Sequence, residues 1–118
     1  MRPPTNDPCF LLELGARQYA AGRREAAYAA WRLAIATAHP DVGPRAACFL
    51  ALAFQLESRL EEARRAWQVA AEGANERYQV IAHLGLASIA DRQGRQAQAI
   101  RHWRRATAIA FSSGGRTW

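Results

Sequence analysis

The feature that most constrains this chain is repetition at a fixed interval. Shifting the sequence by 36 residues, twice, superimposes Trp31, Trp67 and Trp103, which are three of its four tryptophans. The same shift superimposes Ala27, Ala63 and Ala99, then Ala34, Ala70 and Ala106, then Ala38, Ala74 and Ala110. Leu14, Leu50 and Leu86 fall into line as well, as do Arg23, Arg59 and Arg95. Alanine is abundant enough for chance matches, but tryptophan is not. A period of this length marks units that cannot bury their apolar faces alone and must stack on one another.

Within each unit an apolar stretch ends at a breaker or polar pair, Gly22-Arg23, Ser58-Arg59 or Gly94-Arg95, and a second stretch carrying Ala-x-x-x-Trp-x-x-Ala follows. Residues four apart share a helix face, so the small alanine admits a neighbouring helix while the indole fills the space beside it. Half of the residues are apolar and alanine dominates them, which favours helix over strand. The pattern predicts an all-α fold of six helices over 8–21, 25–38, 44–57, 60–73, 76–93 and 96–111. These form three units over 8–43, 44–79 and 80–111. Pro40 is placed to end the second helix and Pro44 to begin the third. Residues 1–7 and 112–118 are expected to be flexible ends.

The arrangement resembles the tetratricopeptide repeat, whose pattern is W-x₂-L-G-x₂-Y followed by A-x₃-F and P. Leu14-Gly15, Leu50-Ala51 and Leu86-Ala87 match its first half; Ala27/Trp31, Ala63/Trp67 and Ala99/Trp103 match its second. The period is longer than the family's 34, and Leu11, Ala47 and His83 stand where its first tryptophan would be. The terminal proline is displaced to Pro40 in the first unit and missing from the second. The resemblance implies a right-handed α-solenoid in which the first helix of each unit lines a concave groove and the second faces outward. It implies a protein–protein interaction module, an adaptor, assembly factor or chaperone, rather than an enzyme.

On the first helices, Leu50 and Phe54 belong to the stripe that packs inside the stack. Phe49, Leu52 and Leu56, at i, i+3 and i+7, lie on another side. The expected partner-binding groove comprises Leu12, Tyr19, Phe49, Leu52, Gln55, Leu56, Leu84, Ser88, Asp91 and Arg92. It would accept a helical or apolar segment of a protein partner. The competing reading is that these side chains complete the core of a tightly wound stack. Relatives that clamp acidic peptide tails use Lys, Asn and Arg on the first helices; the matching positions here are Leu12, Ala16, Cys48, Phe49, Ile81 and Gly85, none of which grips a carboxylate.

All 16 basic side chains are arginine and the net charge is +6. Arg64, Arg65, Arg101, Arg104 and Arg105 make a basic patch on the outward helices, which supports an alternative reading as a nucleic-acid binder. Against it, the tryptophans that would stack on bases occupy packing positions. No cofactor or metal is implied: His39, His83 and His102 lack ligand partners at metal-site spacing, and no glycine-rich phosphate loop is present. His83 reads as a packed histidine and Cys48 as a buried thiol, with Cys48 the one candidate nucleophile. Neither a membrane-spanning segment nor a signal sequence is evident and the two cysteines lie far apart, so the expected setting is cytoplasmic with free thiols. Ile100, Trp103, Ile109 and Phe111 have no fourth unit to cover them all, which raises self-association through the C-terminal repeat.

Overall fold

The computed structural model describes residues 7–114. They form six helices: α1 (Pro8–Ala20), α2 (Arg24–Ala36), α3 (Val42–Leu56), α4 (Leu60–Glu72), α5 (Glu76–Arg92) and α6 (Gln96–Gly114). No strand occurs among the described residues. Packing follows chain order. The pairs α1–α2, α3–α4 and α5–α6 form helical hairpins, successive hairpins meet through α2–α3 and α4–α5, and α3 also touches α1 and α5. The result is a repeat-like all-α body of 49 × 35 × 19 Å.

The turn inside each hairpin is the same structure three times. Gly22, Ser58 and Gly94 have φ of 81°, 60° and 75°. The next residue's amide reaches back to a carbonyl in the last helical turn: Arg23 to Gln18 at 2.9 Å, Arg59 to Phe54 at 2.8 Å and Arg95 to Ala90 at 2.8 Å. The left-handed residue donates to Tyr19, Gln55 and Asp91 respectively, each at 3.0 Å. These are Schellman caps, and the left-handed residue they require is normally glycine. Ser58 therefore carries a Cβ penalty of about 1–2 kcal/mol. Ser58→Gly is expected to raise stability by about 1 kcal/mol in urea unfolding, the relief being partly offset by the added freedom of the unfolded chain.

The aligned alanines explain how closely the helices approach. Ala27, Ala63 and Ala99 are completely buried, as are Ala34 and Ala70, with Ala106 nearly so. Trp31 and Trp67 are buried beside them. A Cβ on Gly15 would lie 2.3 Å from the Trp31 indole, and one on Gly85 would lie 2.3 Å from that of Trp67. Both glycines are therefore seats for tryptophan rings. Gly85, which falls in the groove series by register, is instead taken up by the contact between the second and third hairpins.

Three boundaries depart from expectation. Helix α3 begins at Val42 because His39 Nδ1 accepts the backbone amides of Asp41 at 3.2 Å and Val42 at 3.0 Å, leaving Pro44 in the first turn where no amide is needed. Asp7, expected in a flexible end, caps α1 by accepting from the amide of Cys9 at 2.9 Å. Helix α6 runs on to Gly114, so residues 112–114 are helical and not tail. The remainder of the two ends expected to be flexible, 1–6 and 115–118, lies outside the described residues.

The expectation that all three tryptophans act as core wedges fails at the last one. Trp103 is 43% exposed whereas Trp67, one period earlier, is 2% exposed. Trp67 is covered by α5 of the next hairpin, and among the described residues no helix follows α6 to do the same for Trp103. Ile100 and Phe111 are exposed with it, but Ile109 is buried.

Candidate functional site

Helix α3 is the middle of the stack, buried along Ala46, Leu50, Ala53 and Phe54. Its periodicity then forces Phe49, Leu52 and Leu56 to another side, where they are 39%, 47% and 78% exposed. Leu52 and Leu56 are more accessible than core side chains, while Phe49 is partly covered by Trp31. Together with Ala16, Tyr19, Ala20 and the edge of Trp31 they line a shallow concavity of about 250 Å³ with almost no polar surface. Trp31 forms its base, stacked on Phe49 with ring centres 5.9 Å apart and tilted against Tyr19 at 5.8 Å. The indole Nε1 donates to the Leu12 carbonyl at 3.3 Å.

The wall made by Tyr19 is fixed from behind. Its hydroxyl donates to Glu57 at 3.2 Å, and the Tyr28 hydroxyl donates to the same carboxylate oxygen. Arg59 and Arg24 lie 3.6 and 3.9 Å from that carboxylate. Burial pushes the Glu57 carboxyl upward, but the Tyr28 hydroxyl and Arg24 outweigh it and hold the group below its ordinary value. Burial first, and then the hydrogen bond to Glu57, push the Tyr28 phenol from 10.0 up to about 12. A phenol raised in the folded state stabilises fully below its unfolded value, and that contribution fades as pH climbs through the folded one. The wild-type urea midpoint should fall as pH rises from about 10 towards about 12, and Tyr28→Phe should reduce that fall. An equal decline in both proteins would contradict the role assigned to this phenol.

The remaining residues of the expected groove do not join the concavity. Gln55 accepts from Trp67 Nε1 at 3.0 Å and donates to Ser88 Oγ at 3.1 Å, so both polar side chains are spent on tying the second hairpin to the third. Leu12 packs against the core, and Leu84, Asp91 and Arg92 are exposed outside the hollow. The expected long groove is thus a short apolar face over the junction of the first two hairpins.

Of the basic patch, Arg64 bonds to Glu61 through Nε at 3.0 Å, and Arg65 lies 3.7 Å from the same carboxylate. Arg101, Arg104 and Arg105 are exposed on one side of α6. At about 100° per residue, the exposed Trp103 lies on the side away from Arg101 and Arg105, so aromatic and basic groups do not interleave.

The sequence did not reveal one pairing. His83 and His102 meet with Nδ1 atoms 3.0 Å apart and rings stacked at 5.3 Å. Burial lowers both pKa values, aided by His102 and Arg105 for His83 and by Arg101 for His102. One Nδ1 must donate and the other accept, so the contact survives only while at least one ring is neutral. Cys48 is buried, and burial pushes its thiol up to about 12, which disfavours the thiolate a nucleophile requires. Among the described residues no group of three or more His, Cys, Asp or Glu could hold a metal, and no helix is long and apolar enough to cross a membrane. Comparison with known protein families and with curated protein sequences returns no match.

Proposed function

We propose that the chain is a right-handed tetratricopeptide-type solenoid of three repeats that holds an apolar or amphipathic helical segment of a partner protein. The surface that does so is the concavity of Tyr19, Phe49, Leu52 and Leu56. One observation carries the reading: three large apolar side chains at helical spacing stand exposed together over a hollow whose base and wall are themselves held in place. Scattered exposed apolar residues need no explanation, but a contiguous face with a preformed hollow is characteristic of a docking surface. Two or three aliphatic side chains at i, i+3 and i+7 of a partner helix match its shape and chemistry. Its lack of charge excludes the grip on an acidic tail used by clamp-bearing relatives. The test is capture of a partner by wild type and by Phe49→Asp/Leu52→Asp; capture that survives the double substitution would place the interaction elsewhere.

A further inference from the structure

On another side of the molecule, the junction of the second and third hairpins opens into a larger and chemically opposite hollow of about 530 Å³. Its size is within the ~300–1,000 Å³ typical of small-ligand sites, but its surface is polar where such sites are mostly apolar. Leu86 and Ile89 close the floor, and both are buried in the core. The rim carries three guanidiniums, Arg64 from α4, Arg95 from the last Schellman turn and Arg101 from α6, against the single carboxylate of Glu61. Glu61 is already bound to Arg64, and its nearest other cation among the described residues is Arg65 at 3.7 Å. Neither Arg95 nor Arg101 has a carboxylate at ion-pair distance among the described residues.

Gln98 and His102 also line the hollow, and His102 can donate from Nε2 when its Nδ1 accepts from His83. His102 Nδ1 is engaged by His83, while its Nε2 makes no hydrogen bond among the described residues. The hollow thus sets three guanidiniums against one carboxylate, which is bound by Arg64 and whose charge also acts on Arg95, so positive charge is in excess there. Arginine's planar fork suits oxyanions that accept two parallel hydrogen bonds, and an anion of two or more charges answers Arg95 and Arg101 together. We propose that this hollow binds a small molecule through a phosphate or pyrophosphate group, with Arg95 and Arg101 as its principal grips. The site is independent of the apolar concavity and its partner.

Inorganic pyrophosphate is the probe, titrated into the full chain at constant ionic strength while the ring signals of His102 are followed by NMR. Saturable, single-site shifts of His102 are expected. Arg95→Gln and Arg101→Gln should each weaken the affinity by about tenfold or more, the loss of one charge-assisted contact. Both residues are exposed, so the substitutions leave the core intact. Arg104→Gln, on the same helix but outside the hollow, should change the affinity by less than about twofold. Shifts no larger than those from chloride at matched ionic strength would overturn the proposal. So would equal losses in Arg101→Gln and Arg104→Gln together with tighter binding of a single-stranded oligonucleotide, which would mark a diffuse nucleic-acid face instead.

Discussion

Trp67→Ala is expected to destabilise the protein by about 3–5 kcal/mol, whereas Trp103→Ala should cost less than about 1 kcal/mol. The two residues hold the same position in successive repeats, so a comparison of urea midpoints isolates what the next hairpin contributes. Trp67 is 2% exposed, its indole lies against Gly85 with no room for a Cβ, and its Nε1 donates to Gln55 at 3.0 Å. Truncation leaves a cavity at the hairpin junction and removes the donor that orients Gln55 towards Ser88. Since single domains are stable by only about 5–15 kcal/mol, this is a large share of the total, and the urea midpoint should fall steeply. Trp103 has no such seat. If its truncation instead costs as much as that of Trp67, and the cost grows with protein concentration, a second copy of the chain covers that end. A small, concentration-independent cost would remove self-association through Ile100 and Trp103.

The second large effect concerns binding. Charged replacements at two central positions of a docking face leave carboxylates buried without partners when the complex forms, and each central contact is worth about 2 kcal/mol or more. Phe49→Asp/Leu52→Asp should therefore weaken partner binding by at least about a hundredfold. The fold should survive. Leu52 is half exposed, and Phe49, 39% exposed, loses partial burial together with its stacking on Trp31, the stacking being worth about 0.5–1.5 kcal/mol beyond burial. Unchanged helical circular dichroism is the control that separates lost binding from lost structure.

Much of the helical arrangement could be read in the sequence because the repeats check one another. Ser58 looks like an ordinary residue until the 36-residue register sets it beside Gly22 and Gly94, and the structure gives all three a left-handed backbone. Phe49, Leu52 and Leu56 were separable from Leu50 and Phe54 by helical period alone. Other features depend on contacts that no periodicity encodes. The start of α3 is set by a histidine ring reaching to backbone amides two and three residues on. Gln55 and Ser88 turn towards each other and Trp67, which depends on the distance between hairpins. The meeting of His83 and His102 across a hairpin depends in the same way on how α5 and α6 face each other. For Trp103 the register assigns a packing position, but burial requires a neighbour, and its exposure agrees with the expectation that Ile100, Trp103 and Phe111 lack full cover.

The most direct test of partner binding at the apolar concavity is capture from the native cell by three forms of the chain. These are wild type, Phe49→Asp/Leu52→Asp, and Arg101→Gln/Arg104→Gln/Arg105→Gln, each checked for helical content. The expected result is a defined protein partner held by wild type and by the arginine variant, and lost from the concavity variant alone. Retention by the concavity variant with loss from the arginine variant would contradict the proposed function and move the interaction to the basic face of α6.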